Sequence, residues 1–464
     1  MKPHTTDLKG DLIEGKAIIP IDIQFKTKYS FLVKPLNGHR FKDGDEYSNI
    51  IVQAHNDSFE LGCCRVLAER NNGENIGRLI FIDNIYDLES LVYHHKLVKI
   101  QDEFLNLPLL LERKEKIHEV FKNFVSNLTY DLNVYKNTFD GLDAEFACES
   151  DVVRKVLQQA IIKTEGPAFF NFLDQKMQEQ EHIVKGFNRS EHEVHGFYFR
   201  TQLWDMIMGA PFMARTNLKP RGYAGDSEMM SMIYSADYRG KTTFFKLLHK
   251  HPINQPAAQA VRNRRHAIAK IIREIKGRTR EKDASTLKLL SVACGPSKEL
   301  EDALLTADDC RNLYLALLDQ DASALLEAKE TICQIEKKLN TKLEVDYLNE
   351  SVRTLLALPH IEAKWGQFDF IYSMGLFDYL TPPAASMVLG KLYQLLKPGG
   401  EMVIGNFHVS NPNRYYMEYW LDWVLYYRTE EDFTNLLKGV SNAETKLFFE
   451  DNKVQMFLHV KRKD

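Results

Sequence analysis

The residues best placed to do chemistry lie at the ends of apolar runs. The stretch LKLLSVACGPSKEL, Leu287 to Leu300, starts as an apolar run broken only by Lys288 and Ser291, then turns at Cys294-Gly295-Pro296-Ser297. Such a run reads as a strand buried on both faces, inside a parallel sheet. Ser297 reads as a helix N-cap, with Glu299 and Glu301 near the helix's positive end. Strand, glycine turn and helix start, in that order, let a cofactor approach the backbone at Ala293, Gly295 and Pro296. An ordinary structural turn has the same ingredients. The next run, Leu313 to Leu318, ends in Asp319 and Gln320, and Asp319 follows Gly295 by 24 residues. An acid at that distance accepts hydrogen bonds from the ribose hydroxyls of a nucleoside. Asp321 reads instead as the cap of the Ala-rich stretch Ala322 to Lys329. Ser351 and Val352, after a strand near Leu343 to Leu348, complete the rim with Ser373 and Gly375, which follow the strand Phe368 to Tyr372.

Two further clusters stand out. The segment Asn217-Leu218-Lys219-Pro220-Arg221-Gly222-Tyr223-Ala224-Gly225-Asp226 is either an ordered helix–helix turn or a loop folded over a cofactor, with Tyr223 and Asp226 toward its polar end. GNFHVSNPNRYYMEYWLDWVLYYRT, from Gly405, gathers aromatics around Asn406, His408, Arg414 and Arg428. It reads as a core helix, or as the wall and cations that an amphipathic carboxylate would need. His192 and His195, in HEVH, lack the HExxH spacing and a third ligand, so they read as surface histidines and no metal site is expected.

The elements that position these residues alternate βαβαβαβ from Leu287 to Gly405, which implies a mostly parallel sheet with right-handed crossovers. KLFFED and KVQMFLHVKRK then read as a closing antiparallel hairpin. From about residue 101 to 280 apolar residues recur at helical steps, and PAAQAVRNRRHAIAKIIREIK leads straight into the first sheet strand. Before residue 100, AIIPIDIQF, SFLVKP, SNIIVQAH, SFELGCCRVLAE and GRLIFID read as the strands of a small β-barrel or sandwich. The expected domains are 1–100, 101–280 and 281–464, in line with a length of 464 residues. A net charge of −4, from 60 basic and 64 acidic residues, argues against nucleic acid as the main partner. Six cysteines without a CxxC pair fit a reduced cytoplasm, and no apolar run is long enough for a membrane span.

The order VACGPS, LLDQD, FDFIYSMGLFDYL and LLKPGGEMVIGNF resembles class I S-adenosylmethionine-dependent methyltransferases, the K-P-G-G turn being its most specific piece. The resemblance implies a Rossmann-like α/β sheet with an antiparallel last strand, and S-adenosylmethionine as cofactor. Ser291 and ACGPS depart from that family's acid and multiple glycines. A nicotinamide dinucleotide is disfavoured, because its diphosphate needs those glycines. GYAGDSEMM, SMGLFDYL and GNFHVSNPNRYYMEYWLDWVLYYRT together resemble the bacterial 3-hydroxypalmitic acid methyl ester biosynthesis group, fatty-acid carboxyl O-methyltransferases linked to quorum signalling. That likeness implies a helical cap, Tyr223, Gly225 and Asp226 at the cofactor, and Tyr427 and Arg428 at the substrate end, beside Asn406. A carboxylate needs no general base; for a phenol or amine, His408 is the candidate. NDSFELG is faintly similar to the PilZ element, with Asn56, Ser58 and Gly62 in related places, which raises a cyclic dinucleotide as a barrel ligand. The RxxxR arginines are absent, with only Lys26 and Lys28 upstream, so a docking or dimerisation barrel is the stronger expectation. The competing functions are a non-catalytic cofactor-binding regulatory protein and a methyltransferase of an aromatic metabolite.

Overall fold

A computed structural model describes residues 8–15, 17–26, 30–54, 57–71, 74–83, 111–282, 286–357 and 360–463. The chain forms two compact units, Met1–Glu115 and Lys116–Asp464.

The first unit is an antiparallel sheet of eight strands: β1 (Leu8–Glu14), β2 (Ala17–Lys26), β3 (Ser30–Pro35), β4 (Glu46–Tyr47), β5 (Asn49–Ala54), β6 (Asp57–Leu61), β7 (Cys64–Asn71) and β8 (Glu74–Phe81). Their order is β4-β7-β8-β3-β2-β1-β5-β6. β4 pairs with β7 and β5, one residue later, with β1, so a single run of chain meets strands near both ends of the sheet. Alternate residues such as Leu12, Ile21, Val33, Val52, Val66 and Leu79 build its core, as period-two patterning requires. β1 departs from the sequence reading: Lys9, Gly10 and Asp11 dilute its apolar signal, and only Gly10 and Leu12 are buried. Asn56 and Lys28, with the side chain of Lys26, lie outside the described residues, so the PilZ-like element is described only at Ser58 and Gly62.

The second unit is α/β. Its strands are β9 (Leu287–Val292), β10 (Leu313–Asp319), β11 (Glu344–Asn349), β12 (Phe368–Ser373), β13 (Leu396–Phe407), β14 (Ala443–Phe449) and β15 (Gln455–Arg462), in the order β11-β10-β9-β12-β13-β15-β14. β9 to β13 are mutually parallel, and β15 runs antiparallel to both β13 and β14. Both faces are covered. One packs on the helices Pro256–Lys282 and Ala322–Leu339 through Ile268, Ile272, Ala328 and Ile332, the other on Pro382–Gln394 through Val388, Leu389 and Leu392. This is why β9, β10 and β12 read as continuous apolar runs.

Helices Glu119–Glu145, Asp151–Val184, Arg189–Gln202, Pro211–Leu218, Ser227–Ser235 and Thr243–Asn254 precede the sheet within the same unit. Local chemistry sets their starts: Ser150, Asp226 and Thr242 cap the following N–H groups, and Asn188 with Glu191 forms a capping box. Their core continues into Phe407, Tyr416, Tyr419 and Trp420, so the aromatic stretch is largely core, with a helix only over Arg414–Trp420. The HEVH histidines belong to this core. His195 is buried and accepts from the His118 backbone N–H (3.0 Å), and His192 bonds the Tyr419 hydroxyl (3.0 Å), which replaces the expected surface position.

Glu401 ties Pro256–Lys282 to the sheet. Burial works against its charge, but hydrogen bonds from His459 (2.9 Å) and Arg278 (2.8 and 3.0 Å) outweigh it and bring the carboxyl down to about 2. A folded value below the unfolded one stabilises the fold above the ordinary carboxyl range, and this contribution fades as pH falls toward 2. Glu401→Gln should therefore lower stability at pH 7 by about 1–3 kcal/mol. In urea unfolding across a pH series that gap should close on acidification; a constant gap would refute the assignment.

Candidate functional site

β10 and β11 lie on one side of β9 and β12 and β13 on the other, so crossovers leave β9 in opposite directions. Ligands of open α/β sheets settle beyond the carboxyl ends of the strands at such a switch point. A cleft of about 390 Å³ opens there. Its floor comes from the strand ends: Val292–Pro296 after β9, Leu318–Gln320 after β10, Glu350 and Val352 after β11, and Met374–Leu376 after β12. Its other wall is the segment Arg221–Gly225 with Ser227, Met230 and Tyr234.

The turn after β9 follows an unusual path. Ala293, Gly295 and Ser297 all have positive φ (54°, 53° and 52°), alternating along the chain. The backbone thus takes a three-glycine route while two of the three residues keep a Cβ, at about 1–2 kcal/mol each. Ser297 corrects the sequence reading: its hydroxyl points back to the Cys294 carbonyl (3.5 Å), and the short helix Glu299–Ala303 starts without a side-chain cap. Asp319 closes the floor. One carboxylate oxygen accepts from Gly295 N–H and the other from Asp321 N–H, both at 3.0 Å, which locks the two strand ends together. Burial raises its pKa against the pull of these N–H donors. Asp321 caps Ala322–Leu339 through Ser323 N–H (2.9 Å), as the sequence implies.

The loop wall is pinned across the cleft. Arg221 reaches Asp321 (3.0 Å) and Glu327 (3.2 Å), on or beside the helix Ala322–Leu339. Tyr223 is half-buried against Tyr379, and burial beside Asp319 pushes its phenol up. A Cβ on Gly225 would stand 2.4 Å from the Tyr379 hydroxyl and 2.5 Å from the Trp423 ring. Beyond this neck lies an apolar chamber of about 50 Å³, which shares Gly225, Met230, Arg264, Gly375 and Tyr379 with the cleft. That is room for about three or four water-sized groups. Phe212, Val261, Phe407, Met417 and Leu425 line it, with Asp378 as its buried acid. Burial, against the pull of the Phe407 N–H and of Arg264 and Arg428, raises Asp378 to about 7. Gln255, Asn413 and Tyr416 separate the chamber from a surface groove of about 330 Å³.

Of the residues expected at a cofactor, the cleft brings together Tyr223, Gly225, Ala293, Gly295, Pro296, Asp319, Gln320, Val352 and Gly375. Asp226 is off the wall: both its oxygens take the Arg215 guanidinium (2.7–3.0 Å), and it caps Ser227–Ser235. Ser351 accepts from Arg353 N–H (3.2 Å), and Ser373 is buried at the end of β12; neither lines the cleft. The expected substrate residues are also corrected. Arg428 is buried and donates to the carbonyls of Phe377 (2.7 Å) and Leu380 (2.6 Å) and to Asn406. Asn406 in turn donates to the Phe407 and Tyr426 carbonyls (2.8 and 3.0 Å), so both staple backbone. Tyr427 packs under Arg414 near Asn411, outside the chamber wall. His408 bonds Ser410 (2.7 Å) and Glu430 (3.1 Å), away from both cavities. The sequence reading missed Arg264, Tyr379 and Asp378. Arg264 does carry a signal: it sits between Val261 and Ile268 on the buried stripe of its helix, where a cation is out of place.

No protein-family model and no curated protein matches the sequence. Among solved structures the chain is similar to a possible exported protein from Bordetella parapertussis, at 14% identity over 64% of this chain and 97% of that one, TM-score 0.41. It is also similar to magnesium protoporphyrin IX methyltransferase from Synechocystis with bound S-adenosylhomocysteine, at 10% identity over 45% and 88%, TM-score 0.34. A third is the N-methyltransferase NodS from Bradyrhizobium japonicum, at 14% identity over 43% and 96%, TM-score 0.29.

Two glycine exchanges should act with opposite signs. Ala293→Gly relieves a left-handed alanine and should raise the thermal midpoint or leave it unchanged. Gly225→Ala forces the Tyr379 and Trp423 contact apart and should lower it, by about 1–3 kcal/mol in stability. Differential scanning calorimetry of both variants checks the pair, and a fall for Ala293→Gly would refute the strained turn.

Proposed function

We propose that this protein is an S-adenosylmethionine-dependent methyltransferase whose acceptor is the carboxylate of a fatty or hydroxy-fatty acid. The observation that carries this reading is the cleft at the strand ends, with buried Asp319 on its floor, which shares Gly225 and Gly375 with an adjoining apolar chamber. Asp319 would hold the ribose and the Ala293–Pro296 backbone the amino-acid end, with Tyr223 and Val352 beside the base. The cofactor, when bound, supplies an electrophilic methyl on a sulfonium. An acceptor carboxylate is already ionised at pH 7, so the protein's part is to align it, strip its water and hold it at the neck. The chamber takes the head and first carbons, and the groove beyond Gln255 and Tyr416 gives a longer tail a path. We also read the N-terminal sheet as closing, through the Glu46–Ala54 run, into a small docking barrel.

A second reading rests on Asp378. A carboxyl with a pKa of about 7 facing the chamber suits a general base, and would serve an aromatic hydroxyl acceptor in place of His408.

Calorimetric titration with S-adenosylmethionine, then incubation of methyl-labelled cofactor with pools of fatty acids and phenols, separates these readings. Label in a base-labile ester supports the carboxyl acceptor, and label in a base-stable ether supports Asp378 as base. Cofactor binding without transfer to either pool favours a regulatory protein. Asp319→Ala should weaken cofactor binding by about 1–3 kcal/mol; unchanged affinity would remove Asp319 from the site.

A further inference from the structure

Arg264 is the most isolated charge in the second unit's interior. It is 7% exposed, yet no carboxylate among the described residues comes within ion-pair distance. Its hydrogen bonds all go to uncharged acceptors: the Met374 carbonyl (3.2 Å), the Gln455 amide oxygen (3.4 Å) and the Met230 sulfur (3.3 Å). Its Nε is buried with no hydrogen-bond partner among the described residues. Arg265, the next residue, is by contrast bidentate to Asp302 (2.7 and 2.9 Å) and also meets Glu301. A guanidinium withdrawn from water without a charged partner is unfavourable, and an incoming anion offsets that.

The two acids nearest in charge do not supply that anion. Glu299 is engaged by the Tyr372 hydroxyl (2.9 Å), and Asp378 by the Phe407 backbone N–H (2.7 Å). Burial raises both to about 7, against the pull of Arg264 itself. Arg264 lines both the cleft and the chamber, and its Nη2 lies 3.4 Å from where a Cβ on Gly375 would stand. A planar fork at that junction suits one ligand chemistry.

We propose that Arg264 is a carboxylate-binding residue at the neck between cleft and chamber, and that its partner is carried by a ligand. The inference deepens the methyltransferase reading and rests on it for its two sources of carboxylate: the amino-acid end of the cofactor and the head of the acceptor. Paired probes that differ only in the carboxylate end separate them. S-adenosylhomocysteine is set against methylthioadenosine, which lacks the amino-acid part, and decanoate against decanol.

Wild type, Arg264→Gln and Arg264→Lys are titrated with all four by calorimetry, with thermal midpoints measured alongside. Arg264→Gln should lose about 10-fold or more for one carboxylate probe and spare its partner. Loss confined to S-adenosylhomocysteine assigns Arg264 to the cofactor, and loss confined to decanoate assigns it to the acceptor. Arg264→Lys keeps the charge but not the fork and should fall between; it carries the test should the glutamine variant fail to fold. Equal losses within a pair, or none, overturn the proposal. Wild type that binds neither nucleoside overturns the methyltransferase reading instead, and the decanoate pair still reads Arg264.

Discussion

The carboxylate of Asp319 holds the site together. By accepting N–H groups from Gly295 and Asp321 it ties the turn after β9 to the end of β10, one step beyond the last backbone bond between them, Cys294 N–H to the Leu318 carbonyl. Three residues in the left-handed region persist in the intervening turn because this bond, the Ser297 contact and the packing of Cys294 fix both ends. The same desolvation that raises the Asp319 pKa makes any further hydrogen bond to it stronger. Stability of the turn and capacity to bind thus share one buried group.

The helical residues are equally part of that site. Pro256–Lys282 contributes Val261 and Arg264 to the cavities and Ile268 and Ile272 to the sheet, so one rigid helix sets the distance between chamber and strand ends. Arg221 bridges from the preceding loop to the helix Ala322–Leu339. Sheet and helices fall in a single compact unit, Lys116–Asp464.

What the sequence made legible was whatever repeats a local rule. The apolar runs became β9, β10, β12 and β13, Asp321 became a cap, and the last two strands formed the expected hairpin. Glycine and acid positions tied to strand ends also landed in the cleft. Buried polar residues did not read correctly, because a staple and a ligand contact look alike in one dimension. Arg428, Asn406 and Asp226 satisfy backbone and arginine partners far away in sequence. Arg264, which is in no ion pair among the described residues, sat unnoticed among four charged or polar neighbours in VRNRRH. β1 escaped because two inward residues carry too little pattern.

The thinness of the wall between cleft and chamber has a stereochemical consequence. The two spaces share Gly225 and Gly375 with the side chains of Met230, Arg264 and Tyr379, so under the methyltransferase reading two occupants would meet at that shared wall. Under the methyltransferase reading, the thiol on the cleft floor, Cys294, is a poor way-station for a one-carbon group, because burial pushes its pKa well up. A single crossing inverts the carbon that moves, and a chiral methyl group would record one inversion where a relay through the enzyme would restore the original hand. Under the methyltransferase reading, such a shared wall would favour kinetics in which both ligands are present before either product leaves.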